Sequence, residues 1–384
     1  MSLIPFNTPA FVGSEHGHIS EAIDGLHLSS DGPFTAKCRR WLIDDLGAAE
    51  VLLVSSCTAA LEISALLLDL APGDEVIMPS YTFVSTANAF ALRGAVPVFV
   101  DIDPETLAID ADAARAAVTS RTRAIVMVHY AGVAGDVDAI SALCGEIGVP
   151  LIEDAAQGMC ADVGGRRLGA IGDIGCISFH ETKNVTCGEG GALVLTDEKW
   201  IDAAHTARDK GTNRRAYMLG QVDKYTWSTL GSSYGLSEIG AAYLWGQLQE
   251  AESLTRGRLA AWERYHAAFE DIERAGLVRR PHIPAGRTHN AHMYYLLLPS
   301  RDQRDAFISG MRERSVTTVF HYIPLHSSPA GQRYARSHGS LAVTDDIAGR
   351  LVRLPMWSTI TPADQDRVVA AARECLSSTA VSVT

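Results

Sequence analysis

The sequence lacks closely spaced cysteines and long apolar runs, and each absence excludes a class of protein. Its seven cysteines include no C-x-x-C pair, which argues against a zinc site or a disulfide framework and indicates a reducing cytoplasm. The most apolar stretch, Ala59–Leu70, is interrupted by Glu62 and Asp69, so no membrane span is expected. No basic segment followed by an apolar run comes after Met1, so no signal peptide is expected.

Basic residues are also in deficit, and lysine is scarce among them. The 33 Lys and Arg residues are outnumbered by 45 Asp and Glu, giving a formal net charge of −12. That balance argues against nucleic acid or an anionic membrane as the main partner, but it does not exclude a small anion. With 47% hydrophobic and 20% charged residues in 384, the chain has enough apolar material for a sizeable core.

Short apolar runs alternate with helical patterns through the first two thirds of the chain. The predicted strands are Val51–Val54, Val76–Met78, Val96–Val100, Ala124–Val128, Leu151–Ile152, Cys176–Phe179 and Ala192–Leu195, and the predicted helices include Phe34–Leu46, Ala111–Val118 and Val137–Ile147. This alternation predicts an α/β fold: a three-layer αβα sandwich around a mostly parallel sheet, occupying residues 1–245.

The remaining residues, 246–384, are expected to form a small α+β C-terminal domain. A helical pattern runs through Leu248–Glu273. Met293–Leu298 and Val316–Tyr322 are predicted as its strands, and the segments Arg350–Leu354 and Pro362–Leu376 close the domain. In parallel sheets ligands bind at the carboxyl ends of the strands, so polar residues there are the first candidates for a binding site.

Lys183 lies in a polar turn between two predicted strands, and it is one of only five lysines (Lys37, Lys183, Lys199, Lys210 and Lys224). Arginine stays protonated near neutral pH, whereas a partly desolvated lysine can lose its proton and become a nucleophilic amine. We therefore interpret Lys183 as the anchor of an aldehyde cofactor held as a Schiff base. The alternative is an ordinary solvated surface lysine.

Two further strand ends could serve the same cofactor. Small residues at Ser55–Thr58 stand between a strand and a helix, where free N–H groups and the helix dipole favour a phosphate; a simple N-cap is an equally good interpretation. Asp154 ends an apolar strand, where a carboxylate could pair with a protonated ring nitrogen or cap a helix starting at Ala155. Phe83 could stack on the ring or belong to the core.

Four motifs carry a resemblance to a known family: Pro79-Ser-Tyr-Thr-Phe-Val-Ser-Thr-Ala-Asn88, Glu153-Asp-Ala-Ala-Gln157, Ser178-Phe-His-Glu-Thr-Lys-Asn184 and Gly188-Glu-Gly-Gly191. The chain resembles the nucleotide-sugar aminotransferases of the DegT/DnrJ/EryC1/StrS family, from about residue 4 to residue 355. The resemblance implies the aspartate-aminotransferase fold (fold type I), pyridoxal 5'-phosphate (PLP) as cofactor, no metal, and a cytoplasmic homodimer with active sites at the subunit interface. The closest likeness is to members that aminate dTDP-4-keto-6-deoxyglucose with glutamate as donor.

The resemblance also implies roles for individual residues. Lys183 and Asp154 are catalytic, and the cofactor is further held by Cys57, Thr58, Phe83, Gln157, Ser178 and, from the partner subunit, Ser233. Ser233 stands where the family commonly has an asparagine, and Cys57 where it commonly has glycine. The substrate side is expected to include His180, Tyr322 and His326, although His180 could equally only pack, and the last two could be core and surface residues.

Three other functions remain open from the sequence. Relatives with histidine in place of Lys183 act as sugar 3-dehydratases, which the lysine argues against. A 3-keto-sugar transaminase, or one for UDP- or GDP-sugars, would have the same motifs. The third is a regulatory protein that binds PLP without turnover. The argument against it is the complete set of cofactor residues: Lys183, Asp154, Gln157 and Ser178.

Overall fold

The computed structural model describes residues 2–381. Its α-helices, in chain order, are α1 (Glu15–Asp24), α2 (Pro33–Leu46), α3 (Cys57–Leu67), α4 (Val84–Ala91), α5 (Ala111–Ala117), α6 (Val137–Ile147), α7 (Ile201–Arg208), α8 (Arg214–Met218), α9 (Glu238–Gln249), α10 (Ala251–Ala268), α11 (Glu270–Arg274), α12 (Arg301–Glu313), α13 (Pro329–Tyr334), α14 (Ala342–Arg350) and α15 (Pro362–Val381).

The strands, in the same order, are β1 (Glu50–Val54), β2 (Glu75–Pro79), β3 (Val96–Val100), β4 (Thr122–Val128), β5 (Leu151–Asp154), β6 (Asp162–Val163), β7 (Arg166–Arg167), β8 (Ile174–Ser178), β9 (Gly191–Leu195), β10 (Arg287–Thr288), β11 (Tyr294–Leu297), β12 (Val319–Phe320), β13 (Arg336–Ser337) and β14 (Leu351–Leu354).

One large sheet organises the chain, with the strand order β1-β9-β8-β5-β4-β2-β3-β13. The pairs from β8 through β13 are parallel, and only β9 runs antiparallel to its neighbours β1 and β8. The mostly parallel sheet is therefore confirmed. Its parallel strands β2, β4, β5 and β8 all end at the same edge, and the residues that follow them meet there.

Both faces of the sheet are covered by helices, which confirms the three-layer αβα sandwich. Strand β1 illustrates the alternation: Leu52 and Val54 pack in the cluster that contains α3, whereas Val51 and Leu53 pack in the cluster that contains α2 and α9. Strands buried on both faces read as continuous apolar runs, which is why the sequence pattern predicted them.

The C-terminal part forms a second core around an antiparallel sheet of order β11-β14-β12, packed with α10, α12 and α15. The predicted boundary between residues 245 and 246 stays a prediction. Among residues 2–381, three β pairings cross it: β13 pairs in parallel with β3, β10 pairs with β6, and Ile4 bridges to Val316.

Several element predictions were wrong in detail. The helical pattern Leu248–Glu273 is divided among α9, α10 and α11, because Glu250 and Phe269 leave the helical conformation. The strand predicted at Val316–Tyr322 is a ladder of only two residues, Val319–Phe320. Helix α1 was missed: its buried residues are only Glu15 and Ala22, so no apolar stripe marks it.

Within residues 2–381, no helix combines the length and the apolar composition that crossing a bilayer requires. The thiols of Cys38, Cys57, Cys144 and Cys176 are buried and free, and burial raises the pKa of each.

A buried carboxylate ties the C-terminal part to the large sheet. Glu75, at the start of β2, is 1% exposed and accepts from Arg336 Nη2 at 2.7 Å and from Thr119 Oγ1 at 2.7 Å. Arg121 binds the same carboxylate from the other side. Mainly because of Arg336, the pKa of Glu75 is lowered from 4.5 to about 2.

Glu75→Gln should destabilise the fold at pH 7 by about 2 kcal/mol, because the side chain that both guanidinium groups contact loses its negative charge. Because the folded-state pKa is depressed, the contribution of Glu75 is complete above pH 4.5 and is lost as the pH falls toward 2. Thermal unfolding midpoints of wild type and variant should therefore converge through that range. The exposed Glu263→Gln is the matched control, and equal midpoints at pH 7 for wild type and E75Q would contradict the prediction.

Candidate active site

A cavity of about 440 Å³ opens where the parallel strands end, between the large sheet and the C-terminal part. Nine of the eleven predicted site residues line it: Cys57, Thr58, Phe83, Asp154, Gln157, Ser178, His180, Lys183 and Tyr322. They come from five separate segments of the chain. The fold therefore brings together most of the residues that the motifs predicted.

Lys183 reaches this cavity from the loop between β8 and β9. Hydrogen bonds across the loop hold it: Phe179 N donates to Gly190 O, Glu181 N to Gly188 O, and Lys183 N to His180 O, at 2.8–2.9 Å. Burial lowers the pKa of the Lys183 amine, and the positive charge of Arg353 acts in the same direction. A half-buried lysine facing a cavity is not the solvated surface lysine of the alternative interpretation.

Two glycines permit the loop geometry. Gly188 has φ +84°, a conformation that side chains rarely adopt, and it closes the turn back onto Glu181. At Gly191 a Cβ would collide with the backbone of Ser56 and Cys57. The lysine loop and the start of α3 can therefore lie against each other, which places the amine near the N-terminus of that helix.

The start of α3 has both features that the sequence analysis left open, an N-cap and a place for a phosphate. Ser56 is the N-cap, and its Oγ accepts from Ala59 N at 3.0 Å. Ser56, Cys57 and Thr58 all line the cavity, and Thr58 Oγ1 lies 2.8 Å from Ser85 Oγ. First-turn N–H groups have no acceptor within their own helix, so an anion in the cavity would meet free donors and the positive end of the dipole.

Asp154 is the last residue of β5 and is 5% exposed. Thr86 Oγ1 donates to its Oδ2 at 2.7 Å, and Ala156 N donates to its Oδ1 at 3.2 Å. Burial outweighs these neutral donors and raises the pKa of Asp154. Residues 156–160 form turns and no helix begins at Ala155, so the alternative interpretation of Asp154 as a helix cap was wrong.

Gln157 and Tyr322 meet across the cavity wall. Gln157 Oε1 accepts from Ala131 N at 2.6 Å, and its Nε2 donates to the Tyr322 hydroxyl at 3.1 Å. Phe83 lies near the same tyrosine, with 6.4 Å between ring centroids, and is 56% exposed. Because Phe83 is so exposed, it is not the core aromatic of the alternative interpretation, and its ring is available to a ligand.

His180 and Ser178 also line the cavity. His180 N donates to Ser178 Oγ at 3.3 Å, and its ring bonds Thr182 Oγ1 through Nδ1 at 3.0 Å. The His180 Nε2 atom is 3.7 Å from Glu189 Oε1. His180 therefore lines the cavity as part of a polar rim rather than as an isolated ligand.

Two predicted residues lie outside the cavity. His326 belongs to a short 3-10 turn that directs its Nδ1 to Ser80 Oγ at 2.8 Å, with Asp345 3.4 Å from its Nε2, so it packs beside the site. Ser233 is exposed and bridges to Asp209 away from the cavity of its own chain. Its expected role in a partner subunit stays a prediction.

Further residues line the cavity that the motifs did not predict: Phe6, Ser85, Thr182, His292 and Arg353. Burial lowers the pKa of His292 well below 6.5, which makes that ring neutral. One signal was available for Arg353, since it is the charged residue in the otherwise apolar strand Leu351–Leu354. Ser85 and Thr182 lie within two of the quoted motifs, whereas Phe6 and His292 become neighbours of the site only through tertiary folding.

A second buried carboxylate, that of Glu153, stabilises the backbone next to the site. Glu153 accepts from His129 Nε2 at 2.7 Å and from Gly169, Ile171 and Gly172 N–H groups at 2.7–2.9 Å. Burial alone would raise its pKa, but these donors hold the pKa of Glu153 below 4.5. The turn after β7 is therefore fixed to β5 directly behind Asp154.

PLP has an aldehyde, a ring nitrogen and a phosphate, and each of them needs a partner in the cavity. Lys183 offers an amine with a lowered pKa, Asp154 a buried carboxylate bonded to neutral donors, and the start of α3 a cup for an anion. Each group of the cofactor thus has a chemically suitable counterpart in one cavity. The residues present fit the cofactor.

A mostly parallel three-layer sheet with a lysine loop between β8 and β9 defines a chain of the fold-type-I aminotransferase class. The model of the DegT/DnrJ/EryC1/StrS aminotransferase family matches residues 12–373, and the chain belongs to this family. Aminotransferases of the family depend on PLP.

Solved structures agree with the assignment. The aminotransferase TlmJ from Streptoalloteichus hindustanus is 32% identical, with a TM-score of 0.90 over 98% of this chain and 100% of that one. DesV from S. venezuelae is 28% identical, with a TM-score of 0.88 and coverage of 98% and 99%. The sugar aminotransferase CalS13 from Micromonospora echinospora is 26% identical, with a TM-score of 0.87 and coverage of 97% and 100%.

Proposed function

We propose that this chain transfers an amino group from glutamate to the keto carbon of a nucleotide-linked deoxysugar. The specific reaction is conversion of dTDP-4-keto-6-deoxyglucose to dTDP-4-amino-4,6-dideoxyhexose. The observation that carries the proposal is one cavity that combines Lys183, whose amine has a lowered pKa, with the buried Asp154 and the N-terminus of α3.

PLP would be held by residues of this cavity. The Lys183 amine would take the aldehyde, Asp154 the protonated ring nitrogen, and Cys57, Thr58 and Ser178 the phosphate. Phe83 would lie against the ring and Gln157 near its hydroxyl. When bound, the cofactor supplies an aldehyde that exchanges amines and a ring that accepts electrons from the reacting carbon.

The residues of the chain then have defined tasks. Burial lowers the pKa of Lys183, so its amine gives up a proton more readily than that of a solvated lysine and could accept and return a proton at the reacting carbon. The buried carboxylate of Asp154 would stabilise positive charge on the ring nitrogen of the bound cofactor. The N–H groups at the start of α3 would hold the phosphate of the cofactor.

The sugar part of the proposal is supported by the family and by the motif Ser178–Asn184. The relative CalS13 is described as a sugar aminotransferase. The rim of His180, Thr182 and Glu189 adds donors and acceptors suited to hydroxyl groups, which a sugar presents in number.

A substrate panel tests the proposal. Purified protein with PLP and glutamate should aminate dTDP-4-keto-6-deoxyglucose at least about tenfold more efficiently than its 3-keto isomer or the UDP- and GDP-linked 4-keto sugars, since each change removes contacts worth at least 1.4 kcal/mol. A preference for any of those other substrates would overturn the specific assignment. A proton NMR spectrum of the product gives the galacto or gluco configuration of the new amine.

The same preparation separates an enzyme from a PLP-binding regulatory protein. Glutamate alone should shift the absorbance of the bound cofactor to that of its amine form. A protein that binds PLP but shows no such shift, and no amination of any sugar in the panel, would be the regulator.

We also propose that the chain acts as a homodimer, in which Ser233 of one subunit approaches the phosphate of the other. Support comes from the position of Ser233, exposed and away from its own cavity, within a stretch that also exposes Met218, Trp227 and Leu230. Exposed apolar clusters of this kind commonly mark protein interfaces. Sedimentation should give twice the chain mass of 41.2 kDa, and a monomer at assay concentration would refute the dimer.

A further inference from the structure

His326 joins the C-terminal part to the large sheet immediately beside the cavity. Its ring Nδ1 lies 2.8 Å from Ser80 Oγ, and its backbone N–H donates to the same Oγ at 3.0 Å. Its Nε2 lies 3.4 Å from Asp345 Oδ1. Ser80 directly follows β2 and is fully buried, whereas Asp345 lies on α14 with an exposed side chain. A histidine of the C-terminal part is therefore bonded to the end of a strand of the large sheet.

The hydrogen bonds define the tautomer of the His326 ring. Ser80 Oγ already accepts from the backbone of His326, so the hydroxyl hydrogen is available to donate to Nδ1. In the neutral ring this leaves the hydrogen on Nε2, on the side of the Asp345 carboxylate. Within residues 2–381, His326 is the only residue that bonds the buried Ser80 hydroxyl, and a buried donor without an acceptor is costly.

Two further hydrogen bonds join the same two segments of the chain. Leu325 N donates to Ser80 O at 3.1 Å, and the Tyr81 hydroxyl donates to the carbonyl oxygen of His321. Leu325 is 6% exposed and packs in a core cluster of the large sheet. Residues 321–327, which we call the clamp loop, are therefore held against the end of β2.

The residues next to these contacts line the cavity. Thr82 and Phe83 follow Tyr81 on one side, and Tyr322 belongs to the clamp loop on the other. The ring centroids of Phe83 and Tyr322 are 6.4 Å apart, and the Tyr322 hydroxyl accepts from Gln157 Nε2 at 3.1 Å. A shift of the clamp loop would therefore move Tyr322 relative to the cavity residues of the large sheet.

We propose that His326 is a positioning residue that holds the clamp loop through Ser80. By this bond it fixes Tyr322 at the distance from Phe83 that the keto sugar requires. The inference rests on the proposed aminotransferase function, in which Tyr322 belongs to the substrate side of the cavity. PLP itself would be held by residues of the large sheet and α3, outside the clamp loop. The clamp loop should thus act on the sugar and not on the binding of the cofactor.

The experiment measures the KM for the keto sugar that the wild-type enzyme prefers in the substrate panel. His326→Ala should raise this KM at least about tenfold, because small displacements of a positioning group have effects of this size or larger. Ser80→Ala removes the other half of the bond and should have the same effect, and the double variant should be no worse than either single one. In all three variants the dissociation constant for PLP should stay within about threefold of wild type.

His326→Asn is the rescue variant. The Oδ1 atom of an asparagine lies close to the position of Nδ1 in a histidine and can accept from the Ser80 hydroxyl, although the shorter side chain does not reach Asp345. If the bond to Ser80 carries the effect, the KM for the keto sugar should return to within about threefold of wild type. An H326N enzyme as impaired as H326A would contradict the inference.

Two controls separate positioning from stability. Glu75→Gln weakens a different contact between the C-terminal part and the large sheet, the one with Arg336. His282→Ala removes an exposed histidine whose Nε2 lies 3.8 Å from Glu105 Oε2, a second histidine–carboxylate contact between the same two parts. Neither residue lines the cavity, so both variants should keep the wild-type KM for the keto sugar, even where thermal unfolding shows a loss of stability.

Hydrogen exchange of the PLP-loaded protein gives a measurement that needs no substrate. The amide of Leu325, which bonds Ser80 O, should exchange faster in H326A than in wild type, and H326N should restore its protection. The amides of β11, in the C-terminal sheet, should be unchanged. Equal exchange of the Leu325 amide in wild type and H326A would show that His326 does not hold the clamp loop.

The outcomes decide between explanations. If H326A and S80A keep the wild-type KM, the inference is wrong. If E75Q raises the KM as much as H326A does, the effect reports loosened packing between the two parts, and the inference is equally wrong. If H326A does not fold, as judged by circular dichroism, S80A and H326N supply the comparison. A wild-type enzyme that glutamate does not convert would refute the proposed function itself, whatever the variants do.

Discussion

Replacing Lys183 with alanine should abolish transamination and remove the absorbance band of the lysine-bound cofactor. The loss should be at least about 10⁴-fold, because the same amine both holds the aldehyde and moves the proton at the reacting carbon. The structure supports both tasks by placing the amine in the cavity with a pKa lowered by burial. Steady-state turnover and the absorbance spectrum of the purified variant check the prediction.

Two further variants isolate the chemistry of the amine. Lys183→Arg keeps a positive side chain but should be as inactive as K183A, because a guanidinium stays protonated. Lys199→Ala, at an exposed lysine paired with Asp197, should retain wild-type activity. Turnover by K183A without an added amine would show that another residue carries the cofactor and would refute the assignment of Lys183.

Replacing Asp154 with asparagine should lower kcat by about 10²- to 10³-fold, the range seen when one electrostatic partner of the reacting charge is removed. An amide cannot balance a positive charge on the ring nitrogen, and Thr86 and Ala156 N–H offer only neutral contacts nearby. Cofactor should still bind, because Lys183 and the start of α3 are unchanged. Single-turnover absorbance changes with glutamate measure the effect on the first half of the reaction.

The control for this substitution is Asp138→Asn, at an exposed carboxylate whose partner is Arg166 on the surface. It tests whether any Asp-to-Asn change on the large domain lowers activity. A kcat for D154N within about threefold of wild type would mean that the buried charge does not act on the cofactor.

The sequence predicted the large sheet well because its strands are buried on both faces. Val96–Val100 and the helix Val137–Ile147 were predicted to the residue, since burial makes the first uniformly apolar and gives the second a clear periodicity. Helix α1 has no such signal. It is stabilised by polar contacts at a distance, such as Gln247 Nε2 donating to Glu15 Oε1, which no local pattern records.

The residues of the candidate site likewise fall into those that the sequence could predict and those that it could not. Residues next to the ends of strands, such as Asp154 and Lys183, could be proposed from position and residue type. Thr86, which bonds Asp154 from 68 residues away, could not, because hydroxyls at helix starts are common. Arg353 enters the cavity from the C-terminal sheet, and His326 is turned out of it by a single 3-10 turn. Both depend on how the two parts pack, which the sequence pattern does not specify.

The short strand β13 determines whether the large domain can be produced as a separate fragment. Arg336 and Ser337 pair with Val98 and Phe99 and form the outer edge of the large sheet. A fragment ending at residue 245 would expose the backbone of β3, an apolar strand ready to pair with other chains. We therefore expect such a fragment to aggregate. By pairing with β3, the strand β13 covers this backbone, so the C-terminal part protects the sheet as well as closing the cavity.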